Sequence, residues 1–179
     1  MMNHFDFFQI PVSFFPDLAD LKQRFLKNSK RFHPDFHTLE SEEKQAEILE
    51  LSTQNNEAYL TLSDFDKRLR YILETKGLLA EGKQELPQDF LMDMMDINEA
   101  IMELEFDFDE AVFQATSAKM QQVEAEMLEA VKPAMEGFQD GITPATALEP
   151  VKDFYLKQRY IWRIKENLNR FAPASMEVR

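Results

Sequence analysis

Residues 42–62, EEKQAEILELSTQNNEAYLTL, contain neither glycine nor proline, and residues 110–132 repeat that character. Both stretches are built from Glu, Leu, Ala, Gln, Lys and Met, residues that lose little freedom in a helix. Long uninterrupted runs of this kind leave few places for the tight turns of a sheet. The whole chain holds only four glycines in 179 residues, so the expected fold class is all-α. Hydrophobic residues make up 44% of the chain, with 16 Phe and 10 Met, which is enough to build a packed core rather than a disordered chain.

The breakers and caps divide the chain into segments. Asp17 is suited to cap a helix running to about Phe32, with Leu18, Leu21, Phe25 and Phe32 in one stripe, filled imperfectly by Asn28 and Ser29. Pro34 ends that helix and turns His33 toward an extended backbone. Ser41, followed by two acids, opens a second long helix with Ile48, Leu51, Ala58 and Leu62 on one side. SDFDKRLRYILETKG, residues 63–77, reads as a capped helix ending at Gly77. GLLAEGKQELPQD, residues 77–89, holds two of the glycines and a proline and reads as a linker. Beyond it come a helix opening with FLMDMMDINEAI, a long one from about Asp109 to Asp140 bent or broken at Pro133, a GITP turn, and a last helix from about Ala145 to Phe171. The expected organisation is an antiparallel helical hairpin over residues 1–76, a linker over 77–88, and a three-helix bundle over 89–179. Phe5, Phe7, Phe8, Phe14 and Phe15 are read as core and staple residues.

Charge narrows the function classes. The net charge is −13, with −9 in residues 86–179 and −4 in residues 1–85, which argues against nucleic acid as a partner. Within this acidic chain, residues 21–31 hold Lys22, Arg24, Lys27, Lys30 and Arg31 and no carboxylate. Such a local patch suits one acidic protein surface. The chain has no cysteine, so disulfides, thiolate zinc sites and cysteine-held iron–sulfur clusters on it are excluded. The N-terminal segment has no basic n-region and is interrupted by Asp6, Pro11 and Pro16, unlike a signal peptide. No apolar run approaches a membrane span. A cytoplasmic, soluble protein is expected.

The tripeptide His33-Pro34-Asp35 stands at the end of the cationic helix. It can be a plain helix stop, part of a metal site with His37, a hydrolytic dyad, or a docking tip. Alternation around a proline does not place three ligands on one face, and no further ligand cluster lies nearby. No positioned nucleophile or Gly-rich loop accompanies the histidine. No catalytic residue, metal ligand or cofactor is therefore assigned.

The order of basic helix, His33-Pro34-Asp35, second helix and NEAYLTLSDFDKRLRY, residues 56–71, resembles the J-domain of DnaJ-type co-chaperones over roughly residues 5–76. The match includes Asn56, Glu57, Ala58, Tyr59, Leu62, Ser63, Asp64, Lys67, Arg68 and Tyr71. With the acidic, Met-rich segment that follows, similar mainly over residues 90–103, the chain resembles the HscB-type co-chaperones of iron–sulfur cluster assembly. That resemblance implies a protein that is not itself an enzyme but activates a partner ATPase. It implies docking on a DnaK- or HscA-type chaperone through His33, Pro34, Asp35, Lys22, Arg24, Lys27, Lys30 and Arg31. It also implies binding of an IscU-type scaffold through Leu91, Met92, Met95, Asp96, Glu99, Glu103 and Tyr160. A J-protein serving a different client is the alternative. Leu26 and Phe36 depart from the J-domain pattern, which often has basic residues at both places.

Read from spacing alone, Leu91 and Met95 share a face with Asn98 and Glu99, while Met92, Asp96, Glu99 and Glu103 recur at helical intervals. Some of Met92, Met94 and Met95 must face the bundle interior.

Overall fold

The computed structural model describes residues 3–79 and 85–170. The fold is all-α, with no strand among the described residues. The chain divides into two compact units, one of Met1–Leu78 with Met135–Ala145, the other of Leu79–Ala134 with Thr146–Arg179. Residues 80–84 of the expected linker, and the expected helix end at Phe171, lie outside the described residues.

In the first unit, α1 (His4–Phe8) precedes α2 (Leu18–Arg31), α3 (Glu42–Ser63) and α4 (Phe65–Thr75). The caps are those the sequence signals. Asp17 Oδ1 accepts from the amides of Ala19 at 2.8 Å and Asp20 at 3.1 Å, Ser41 Oγ from Lys44, and Asp64 Oδ1 from Lys67. Past α4 the chain closes on a left-handed Gly77, φ +69°, with the Leu78 amide bonded to the Leu73 carbonyl and the Gly77 amide to that of Glu74. Only a residue without Cβ enters this conformation cheaply, so glycine ends the helix.

Helices α2 and α3 run antiparallel. Phe25 stacks on Tyr59 with centroids 4.1 Å apart, and Asn55 Nδ2 donates to Ser29 Oγ at 2.9 Å and to the Phe25 carbonyl at 3.2 Å. One of the positions that break the α2 stripe in the sequence, Ser29, is thus explained. Ser29 meets the buried Asn55 across the hairpin, and its hydroxyl oxygen accepts from the Asn55 amide nitrogen. Leu18, at the first helical position, stays half exposed, so the buried stripe begins a turn later at Leu21.

The segment before α2 is bound to the hairpin by α4. Arg68 is buried; its Nε donates to the Phe14 carbonyl at 3.0 Å and its Nη1 to the Leu62 carbonyl at 2.5 Å, with Phe65 beneath the guanidinium. Burial pushes its proton affinity below the ordinary arginine value, opposed by Asp64 and Asp66. At the same helix the Tyr71 hydroxyl accepts from the His4 amide at 2.9 Å, and the two rings stack 4.4 Å apart. Phe5, Phe8 and Phe14 are buried, while Phe15 lies outside, stacked on Phe65. Residues Met135–Ala145 also join this unit. Phe138 packs edge-on against Phe14 at 5.3 Å, and Lys76 reaches over the Phe138 ring to Asp140.

The second unit contains α5 (Gln88–Asp93), α6 (Met95–Phe106), α7 (Glu110–Glu136) and α8 (Glu149–Asn169). The helix expected as one piece at residues 90–103 is two, separated at Met94. The bonding register is retained across the break, from the Met94 amide to the Phe90 carbonyl and from the Asn98 amide to the Met94 carbonyl. Helix α7 passes through Pro133 to Glu136. Pro133 and Glu129, whose carbonyl the proline deprives of a donor, are both exposed, so water can take that place. A 3₁₀ turn at Ala145–Leu148 stands where the last helix was expected to begin. The core draws Phe90, Met94, Ile97, Ile101 and Leu104 from α5 and α6, Phe113 and Met120 from α7, and Ile161, Ile164 and Leu168 from α8.

Replacing Arg68 with Leu leaves the Phe14 and Leu62 carbonyls without their donor and is expected to cost about 3 kcal/mol, measurable by urea denaturation. His4 supplies a pH dependence. Its burial lowers the imidazole's affinity for protons, only partly opposed by Glu57. The unfolded chain therefore takes up that proton first. The contribution of His4 is complete above the unfolded value of about 6.5 and is lost as pH falls through the lower folded value. Wild type is expected to lose more stability between pH 7.5 and pH 5 than His4→Phe, in parallel denaturation series.

Candidate functional site

Pro34 starts a 3₁₀ turn, Pro34–His37, in the connection between α2 and α3. Its fixed φ suits the first position, and His33 stands before it as the cap. His33 Nδ1 accepts from the Asp35 amide at 3.3 Å and lies 3.8 Å from Asp35 Oδ2. His33, Pro34 and Asp35 are all exposed. The turn beneath them is fastened on both sides. His37 Nε2–H donates to the Arg31 carbonyl at 2.9 Å, and Gln45 Nε2 donates to the carbonyls of Thr38 and Glu40 at 3.2 and 2.9 Å. His37 is thereby a tie between α2 and the turn. Among the described residues, no group of three or more His, Cys, Asp or Glu is placed to hold a metal ion.

Lys22, Lys27, Lys30 and Arg31 are exposed along α2. The three lysines form no ion pair among the described residues, and the Arg31 guanidinium lies over the Phe32 ring. Arg24 departs from the expected set. Its Nε pairs with Asp20 at 2.8 Å, while Nη1 donates to the carbonyls of Phe8 at 3.0 Å and Gln9 at 3.3 Å. The end of α1, where Gln9 adopts a left-handed conformation, presents carbonyls that a fork of guanidinium donors can satisfy. Arg24 is therefore a tether for the N-terminal segment and is only half exposed. Leu26 and Phe36 are both exposed on the same hairpin.

On the second unit, Leu91, Met92, Met95, Asp96, Glu99 and Glu103 are all exposed along α5 and α6. The three methionines divide clearly: Met94 is 1% exposed in the core, whereas Met92 is 69% and Met95 54% exposed. Asp96 Oδ2 lies 3.0 Å from Lys119 Nζ of α7. Tyr160 is half buried; its ring packs edge-on against Phe90 at 5.7 Å, and its hydroxyl accepts from Asn98 Nδ2 at 3.1 Å. Asn98 also bonds back to the Met94 carbonyl, at the helix break. It joins α6 to α8 and is less a contact residue than its spacing suggests. Beside this face lies a cavity of about 490 Å³ lined by Met92, Met94, Asp96, Lys119, Met127 and Lys157 among others. Lys119, Met127 and Lys157 were not singled out in the sequence, because they come from helices whose phase relative to α5 is a tertiary property. The arrangement offers flexible apolar contacts edged by carboxylates, the chemistry of an adaptable protein-binding surface.

No helix among the described residues is long and apolar enough to cross a membrane. A family model described as the HSCB C-terminal oligomerisation domain matches residues 86–169. The co-chaperone protein HscB homolog of Vibrio vulnificus strain YJ016 is 35% identical over 125 residues, covering 66% of this chain and 73% of that one. The homolog from Vibrio parahaemolyticus is 33% identical over 137 residues, covering 70% and 80%. Two solved structures agree in fold and are 26% identical to this chain. Chaperone HscB from Vibrio cholerae has a TM-score of 0.69 over 94% of this chain and 96% of its own, and the human co-chaperone protein HscB 0.74 over 93% and 80%.

The division among the methionines is open to direct measurement. Met94→Ala is expected to cost about 3 kcal/mol in urea denaturation through the cavity it leaves. Met95→Ala is expected to stay within about 0.5 kcal/mol of wild type.

Proposed function

The chain belongs to the HscB family of co-chaperones, and from that premise we propose that it stimulates a DnaK- or HscA-type chaperone ATPase and delivers an IscU-type iron–sulfur scaffold to it. Family membership supports a co-chaperone role in cluster assembly. The observation that carries the finer reading is the exposed His33-Pro34-Asp35 tip, held rigidly at the end of the cationic α2. The backbone of the tip is fastened before any partner arrives, so docking has little main chain to order. Lys22, Lys27 and Lys30 steer an acidic chaperone surface toward it.

The chain carries out no bond-making step in this reading. Hydrolysis occurs in the partner, and the tip acts by binding one state of that partner better than another. The face of Leu91, Met92, Met95, Asp96, Glu99 and Glu103 holds the scaffold, with Tyr160 bordering it from α8. One chain that carries both surfaces raises the effective concentration of scaffold near chaperone. The chaperone's nucleotide cycle is thereby coupled to release of the cluster from the scaffold. The cytoplasm is the proposed site of action.

Steady-state ATP hydrolysis by the cognate chaperone tests this, with the co-chaperone and scaffold added separately and together. Synergy that disappears in His33→Gln, with an unchanged melting temperature, is expected. Leu91→Ala combined with Met92→Ala should weaken scaffold binding about tenfold and leave stimulation without scaffold at the wild-type level. Stimulation without synergy would assign the second unit to a different client. No stimulation at all would reduce the tripeptide to a helix stop.

A further inference from the structure

Two large apolar side chains stand in water within the cationic surface of the first unit. Leu26 is 55% exposed. Helical spacing puts it between Lys22 and Lys30, four residues to either side, with Lys27 adjacent. Phe36 is 69% exposed, directly follows Asp35 on the 3₁₀ turn, and its ring centroid lies 5.5 Å from that of His33. A single exposed leucine would call for no account. Here two occur on rigid secondary structure, one amid the lysines of the proposed docking face and one against its histidine.

We propose that Leu26 and Phe36 are apolar anchors of the chaperone-docking surface, seated in apolar recesses of an acidic face on the partner ATPase. This inference rests on the docking reading above and adds the chemistry of the partner surface. The charges identify the occupant. Lys22, Lys27 and Lys30 have no carboxylate neighbour in residues 21–31, and they form no ion pair among the described residues. An acidic partner complements them. An anionic lipid surface shares that sign but is disfavoured at the tip, because Phe36 would enter it beside the exposed carboxylate of Asp35. A folded partner can set a donor opposite that carboxylate and a recess opposite the ring.

The two kinds of side chain divide the work. Lysines speed encounter and make it salt-dependent, while buried apolar anchors slow dissociation. Leu26 and Phe36 therefore set how long the complex lasts, and they favour chaperones that have matching recesses.

The test uses the full chain carrying Leu26→Ser, Phe36→Ser or both, titrated into the cognate chaperone ATPase at two ionic strengths. The double variant is expected to raise the half-maximal concentration about tenfold, through faster dissociation and not through a lower plateau. Its salt dependence should match wild type, whereas Lys22→Ala with Lys27→Ala should flatten it. Both side chains are exposed, so melting curves should superimpose and show that folding is not the cause. Equal half-maximal concentrations for the double variant and wild type, with wild-type stimulation intact, would overturn this inference alone. Absence of stimulation by wild type would overturn the docking reading with it. Loss of binding to phosphatidylglycerol vesicles in the double variant, with an unchanged chaperone titration, would assign the pair to a membrane surface and overturn the proposal.

Discussion

The register between α2 and α3 depends on one buried amide. Asn55 Nδ2 reaches both Ser29 Oγ and the Phe25 carbonyl, 26 and 30 residues away in sequence. A slip of one helical turn would leave that amide buried against apolar neighbours with its donors unmet, a cost of roughly 1–3 kcal/mol. Apolar contacts alone would tolerate the slip better, because one leucine replaces another at small penalty. The turn bearing His33, Pro34 and Asp35 is fastened separately and locally, by Gln45 at the start of α3 donating to the carbonyls of Thr38 and Glu40.

Much of the sequence block that carries the family resemblance is packing. Ala58 and Leu62 are buried, Asp64 caps α4, Arg68 binds the Phe14 and Leu62 carbonyls, and Tyr71 receives the His4 amide. These residues make a strong signature because each has a geometric task that few other side chains can perform. The exposed tripeptide is weaker as a pattern, yet it is the part positioned to meet a partner. The family signature and the proposed docking role thus rest on different residues of the first unit.

The two units present different chemistry. The first has cations around a rigid tip, and the second has methionines edged by carboxylates. A surface of fixed geometry suits a partner with one complementary site, while thioether side chains repack around a less regular one. Arg24 shows why a count of charges overstates such a surface. It belongs to the basic run in sequence, but Asp20 and the carbonyls of Phe8 and Gln9 already occupy its donors.

The amino-acid sequence by itself determined α2, α3 and α4, their caps at Asp17, Ser41 and Asp64, the stop at Gly77, and the interruption at Pro34. Each of these depends on interactions within about four or five residues, so a local reading reaches it. Tertiary structure alone decided that Met94 turns inward while Met92 and Met95 turn out, that Asn98 bonds to Tyr160, and that Phe138 packs on Phe14. Those outcomes depend on the phase of one helix against another supplied from far along the chain. Periodicity marks a face as apolar or polar, but only the neighbour that covers it determines which side chains at its edge are left for a partner.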